Sequence, residues 1–382
     1  MKFKHVILIV MMLTLTVLAN NTKPGTALKE DKMGDSEKKG KRIPEKNKVP
    51  GIAYAYTNCG LELAVLDITH AMFTRSIKEE GLAELTKQSA FLAQQARQMP
   101  DTQKKAIMDM SFIFGNYFHK NPDANYLSGM HTYMLKLGPY LLGGGEERNM
   151  DRMLAMGVSS VSARMRLRDM CRMQVDVLIP RLEAAPGKEL CLINIAGGAA
   201  SDSINTLILI LKEKASLLKN RKVEIDLFDI DPDGPNFGRR CVEALKTADF
   251  IFHGVDIAYN HVCYDWTKTQ PLADFLSTKK ESIISCTSEG GIFEYADDVH
   301  IVSNLDTLYD HSPAETRLTG SLFYDIDKVD PTIPAMADVS GGGLRFLGMA
   351  GLEKVLQKTK WQIESVKKDK NPVYIIITLK KR

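Results

Sequence analysis

Residues 190–205 read LCLINIAGGAASDSIN. The apolar run Leu190–Ala196 has the length of a short buried strand, Gly197 and Gly198 allow a tight turn with close backbone approach, and Ser201 to Leu218 keeps helical spacing. A strand, a glycine turn and a helix N-terminus form a crevice at the carboxyl edge of an open α/β sheet, where such sheets take ligands. A Gly-Gly pair after a strand is common, so what the crevice holds has to be read from the rest of the chain.

Downstream the pattern alternates. Val223–Ile230 (VEIDLFDI) predicts a second strand and Phe237–Thr247 a helix. FIFHGV at 250–255 predicts a third strand, Leu272–Leu276 a short helical piece, and SIISCT at 282–287 a fourth strand. Asp297–Tyr309 follows as a helix, TGSLFY at 319–324 as a fifth strand and Gly351–Thr359 as a helix. WQIESVKK and PVYIIITLKK end the chain as two strands divided by the charged turn KDKN. This order predicts a Rossmann-like α/β fold whose seven-stranded sheet is mostly parallel, with an antiparallel C-terminal hairpin at its edge. Upstream, residues 61–142 carry apolar side chains at three and four spacing, interrupted at Pro100 and stopped by Gly143–Gly145. A second helical stretch, VSARMRLRDMCRMQVDVLIPRLEAA at 161–185, runs to Pro186-Gly187.

Composition excludes several classes. With 382 residues, 44% apolar and 25% charged, the chain can bury a full core. The formal charge of +3 is uneven: residues 1–48 hold eleven basic and five acidic side chains, which leaves about −3 for 49–382. Without a concentrated cationic face, no nucleic-acid partner is expected. The six cysteines show no CxxC spacing, and Cys191 and Cys286 fall in strand candidates, so reduced buried thiols are expected rather than disulfides or zinc. No HExxH, GxSxG or Walker loop occurs, and no histidine spacing nominates a metal set.

MKFKHVILIVMMLTLTVLANN has a basic start, an apolar run from Val6 to Ala19 and small residues at a plausible cleavage site. Residues 1–19 read as a signal peptide or an uncleaved membrane anchor, placing the protein outside the cell or at a membrane. A start near Met33 would instead keep it in the cytoplasm. Residues 20–48 read as a disordered charged linker.

Acids stand where strands end. Asp229 and Asp231 close the second strand in FDIDPDG, where a carboxylate can accept from both ribose hydroxyls of a nucleoside, with Asp229 the better placed and Asp231 suited to the turn. Asp256 follows the third strand candidate and suits an exocyclic amine or a turn. Glu289, in SCTSEGGIFEY after the fourth strand, suits an amine, a general base or a turn. Arg164 and Arg168 share a helix face and offer planar forks to a carboxylate or simply to solvent. His261 and His311 are base candidates by position.

Taken together these stretches resemble the class I S-adenosylmethionine-dependent methyltransferases of the leucine carboxyl methyltransferase type, a family that includes small-molecule O-methyltransferases. ARMRLRD at 163–169 is similar to the family's ARTRxxD element, which implies that Arg164 grips the methionine carboxylate of the cofactor. INIAGGAASD resembles its glycine-rich loop, with Gly197 and Gly198 as the cofactor-binding glycines. FDIDPDG resembles FEVDLPE and implies the ribose role for Asp229. VDIAYNHVCYDW resembles a VDL segment followed by tryptophan, which sets Asp256 near adenine with Trp266 behind it. SEGGIFEY is similar to AEGVLMYL and sets Glu289 near the methyl donor. The sequence departs from the family where Ala196 and Ala199 stand in place of glycines and where the arginine expected after the loop is missing.

The resemblance implies S-adenosyl-L-methionine as cofactor and methyl transfer to a carboxylate or hydroxyl oxygen of a small molecule or exposed carboxyl group. A carboxylate acceptor needs no base; a hydroxyl needs one, for which Glu289, His261 and Tyr259 are the candidates. Residues 49–186 are then expected as a helical lid with cofactor-contacting helices, and 187–382 as the methyltransferase-like domain. A non-catalytic, membrane-associated binding protein of the same fold is the alternative. A nicotinamide enzyme is a weaker one, since AGGAASD lacks the GxGxxG spacing.

Overall fold

A computed structural model describes residues 42–77, 100, 102, 111, 127–145, 148–331, 333–334, 343–368 and 372–382. The leader at 1–19, most of the linker and the helices expected over 78–126 lie outside the described residues. Among the described residues no helix is long and apolar enough to cross a membrane.

In chain order the elements are β1 (Tyr54–Tyr56), β2 (Glu62–Ala64), α1 (Ala71–Arg75), α2 (Gly129–Lys136), α3 (Asn149–Ala155), α4 (Val158–Ala184) and β3 (Leu190–Ile195). Then follow α5 (Ser201–Lys214), β4 (Val223–Asp229), α6 (Asp233–Leu245), β5 (Ile257–Cys263), α7 (Gln270–Ser277), β6 (Ile283–Ser288), α8 (Ile292–Tyr295) and α9 (Asp298–His311). β7 (Arg317–Phe323), α10 (Gly348–Leu356), β8 (Trp361–Lys368) and β9 (Tyr374–Lys381) complete the chain.

β3 to β9 form one seven-stranded sheet in the order β5-β4-β3-β6-β7-β9-β8. β3 runs parallel to β4 on one side and to β6 on the other, while β9 is antiparallel to both β7 and β8. The expected Rossmann-like sheet with an antiparallel terminal hairpin is therefore what the chain builds. Every residue of β3 and β4 is buried, as befits parallel strands covered on both faces. Period two sorts them: Leu190 and Leu192 join the apolar layer that holds Ile208 and Phe237, and Cys191, Ile193 and Ile195 join the opposite layer with Phe293 and Ile301. None of the six cysteines is in a disulfide, and Cys171, Cys191, Cys241 and Cys286 are buried.

Three segments differ from their sequence reading. The helical pattern expected from Leu61 begins instead with an antiparallel pair, β1 with β2, turned by Gly60 at φ 82°. Also, FIFHGV is a turn with Phe252 buried in the core; the third strand comes later, at Ile257–Cys263. β5 is an edge strand, so Asn260, His261 and Cys263 stay exposed. Its polarity hides it from a reading that looks for apolar runs. Ile43, read as part of the linker, is buried, and its N–H donates to the Glu62 carboxylate at 2.8 Å.

Candidate functional site

The strand order reverses between β4 and β6, on either side of β3, and the crevice opens there. The carboxyl ends of β3, β4, β5 and β6 frame a pocket of about 210 Å³. Gly198, Asp229, Ile230, Asp265 and Trp266 line one end, Gly290, Gly291 and Tyr295 the other, and Leu127, just before α2, closes it together with Gly129 and Thr132 of α2.

The turn after β3 is built by close packing. Gly198 adopts φ 61°, and a Cβ there would stand 2.5 Å from the Cα of Gly129, so two backbones meet without side chains. Gly197 sits over Asn194, whose Cγ would lie 2.6 Å from an added Cβ. Asn194 in turn donates to Asp202 in the first turn of α5 at 2.6 Å. Ala196 and Ala200, on either side of the glycines, hold left-handed φ values of 55° and 50°, which alanine adopts only at a cost in strain.

Asp229 is the acid that faces this turn. Its carboxylate accepts from Gly198 N–H and from Asp231 N–H, each at 3.0 Å, leaving lone pairs toward the pocket it lines. Burial pushes its pKa up to about 6, against those two amides. Asp231 shapes the adjoining turn by accepting from Asp233 N–H. Asp202 is also pushed up to about 6, by burial and then by the charge of Glu289.

Glu289 lies in a buried set of four charges rather than at an open wall. Lys136 of α2 reaches Glu289 at 2.6 Å, Arg166 of α4 reaches it at 3.1 Å, and Arg166 also holds Glu294 of α8 at 3.0 Å. Burial raises the Glu289 pKa, and Lys136 and Arg166 more than reverse this, holding it below the usual carboxylate value. A carboxylate so paired is a poor base.

The structure thus brings Gly198 and Asp229 together at the pocket, with Glu289 behind Gly290; Gly197 packs on Asn194 and does not line the pocket, and the remaining candidates are separated from it. Asp256 is exposed and precedes β5, its carbonyl accepting from Val223 N–H at the start of β4, so it lies at the sheet edge opposite the pocket. The acid that follows β5 is Asp265. Arg164 does not face the crevice: it is buried against the carbonyls of Ser76, Leu135, Leu137 and Ala155, where α1, α2 and α3 end. A cation at three helix C-termini complements their dipoles; burial still lowers its pKa to about 9. Tyr259 is half-buried and turns a buried hydroxyl toward α6 near Gly238, and burial carries its pKa well above the ordinary value. His261 is exposed on β5 with Nε2 at 2.9 Å from the backbone oxygen of Asp229. Neither lines the pocket. Among the described residues no group of histidine, cysteine, aspartate and glutamate could hold a metal ion.

Asp265, Lys136, Arg166 and Tyr295 were not singled out by sequence. Asp265 was recoverable as the first acid after an edge strand; Lys136 and Tyr295 gave no local signal.

No family model and no curated protein matches this sequence. Among solved structures, a "possible exported protein" from Bordetella parapertussis is 14% identical with a TM-score of 0.51, covering 82% of this chain and 98% of that one. OxaC, solved in complex with SAH and oxaline, is 14% identical with a TM-score of 0.38, covering 59% of this chain and 51% of that one. Magnesium protoporphyrin IX methyltransferase (ChlM) from Synechocystis PCC 6803, solved with SAH, is 13% identical with a TM-score of 0.36, covering 57% and 87%. At these identities the likeness concerns the fold alone. The chain has a Rossmann-like fold of the methyltransferase kind, defined by its sheet order and its antiparallel penultimate strand.

Proposed function

We propose that this protein binds S-adenosyl-L-methionine at the carboxyl edge of its sheet and transfers the methyl group to an oxygen of a small molecule. The observation that carries this reading is Asp229: a buried acid at the last position of β4, tied to the Gly198 amide and lining the pocket beside Ile230, Asp265 and Trp266. Such an arrangement suits a nucleoside. The remaining lone pairs of Asp229 accept from ribose hydroxyls, and Ile230 and Trp266 offer apolar faces to a base. Asp265 accepts from Thr267 N–H and Oγ1 through Oδ1, and Lys268 lies 3.6 Å from Oδ2, so the carboxylate is held in place where an exocyclic amine would meet it. Gly198, Gly290 and Gly291 let the ligand approach backbone directly. At about 210 Å³ the pocket is below the ~300 Å³ usual for a whole small-molecule site.

When bound, the cofactor supplies a methyl group activated by positive sulfur, so the chain has mainly to align the acceptor and exclude water. Glu289 is neutralised by two cations, and Tyr259 and His261 point elsewhere. With all three base candidates withdrawn, a carboxylate acceptor, which needs no proton removed, is the one these residues favour.

Calorimetry of the purified chain tests the reading. Micromolar to sub-millimolar binding of S-adenosylhomocysteine and S-adenosylmethionine is expected, and no heat up to millimolar ligand would remove it.

A further inference from the structure

The arginine of the ARMRLRD element that bears on the pocket is Arg166, two positions beyond the one that the family resemblance nominates. Its side chain is buried and spans the turn between β6 and α8: Nε donates to Glu289 at 3.1 Å, where the turn begins, and Nη1 donates to Glu294 at 3.0 Å, inside α8. Between these two anchors lie Gly290 and Gly291, which form the far wall of the pocket. The guanidinium lies directly beneath that wall, since a Cβ on Gly290 would stand 3.0 Å from Nη2. Ser321 of β7 closes the ring, donating to Glu294 at 2.7 Å and accepting from the Gly290 amide at 3.1 Å. The Tyr374 ring of β9 holds the guanidinium from the other side, 4.3 Å from centroid to Cζ.

We infer that Arg166 is a positioning residue: bridged between Glu289 and Glu294 and backed by Ser321, it sets the Gly290–Gly291 wall and thereby decides whether a nucleoside carrying an extension beyond its ribose can bind. The inference rests on the nucleoside-cofactor reading above and adds a division of labour to it. Asp229, Asp265 and Trp266 stand at the nucleoside end. The clamped turn stands at the other end and touches only what extends past the ribose. A planar, permanently charged fork is required because one side chain must satisfy two carboxylates at once, which a lysine ammonium does with less directional control.

The test compares two probes, adenosine and S-adenosylhomocysteine, on the wild-type full chain and on Arg166→Lys and Ser321→Ala, each first checked for cooperative unfolding. Ser321→Ala keeps all four charges in place, so it stays informative if Arg166→Lys does not fold. The expected result is a loss of about tenfold or more for S-adenosylhomocysteine with adenosine held within about twofold. Equal losses for both probes, or no loss for either in a folded variant, overturn the clamp. Failure of the wild-type chain to bind either probe overturns the cofactor reading itself, and so the two failures are told apart.

Discussion

The Gly198 amide donates to the Asp229 carboxylate across 3.0 Å, and this bond joins the turn after β3 to the end of β4. One contact thus fixes both the shape of the glycine turn and the aim of the acid beside it. Asp229→Ala is expected to leave the fold intact and to weaken nucleoside binding by about 1–3 kcal/mol, measured by calorimetry with adenosine. Unchanged affinity would assign the carboxylate to the turn alone.

The same acid makes affinity depend on pH. Its pKa in the free protein is about 6, and ribose hydroxyls donate to the ionised form. Affinity for adenosine should be flat above pH 6 and fall about tenfold per unit below it, until competing groups titrate. Asp229→Asn should abolish that slope.

Asp202 predicts a pH effect on stability. Its pKa is about 6 when folded against an ordinary 3.8. The folded state therefore holds more protons between these values. The group's contribution is complete below about pH 4 and is lost as pH rises through 6. Asp202→Asn, which keeps an acceptor for Asn194, should cancel a fall of at most about 3 kcal/mol between pH 4 and pH 7, read from denaturant midpoints at each pH.

Two acids near β5 should behave oppositely. Asp265→Ala is expected to weaken adenosine binding about three- to thirtyfold, whereas Asp256→Ala, at the far edge of the sheet, should not change it. A loss at Asp256 would reverse the placement of the third strand.

Arg164→Met should cost stability rather than ligand affinity. It would strip partners from carbonyls at the ends of α1, α2 and α3, a loss of about 2–4 kcal/mol in chemical denaturation. Binding of S-adenosylhomocysteine by the folded fraction should stay within about twofold. A selective loss of that ligand over adenosine would restore the carboxylate role to Arg164.

How far the chain could be read before its coordinates follows from the range of the interactions involved. Leu190–Ile195 and Val223–Asp229 were legible because strands buried on both faces are apolar throughout, and Gly197-Gly198 marked the turn between strand and helix. β5 was misplaced because an edge strand keeps polar side chains on its open side, while Phe252 in the preceding turn supplies apolar bulk to the core. That shift of one segment moved the candidate acid from Asp265 to Asp256.

Asp229 could be nominated from position alone, since the last residue of a parallel strand faces the carboxyl edge whatever surrounds it. Nothing local distinguished Arg164 from Arg166. On α4 they sit two residues apart, a rotation of about 200°, so one meets helix ends and the other meets Glu289 and Glu294. Alternation of strand and helix, the glycine turn and the acid after β4 are short-range properties written in consecutive residues. Which arginine faces the pocket, and that Lys136 disarms Glu289 across 153 positions of chain, came only from packing, because a buried charge takes its role from the partners that folding brings to it.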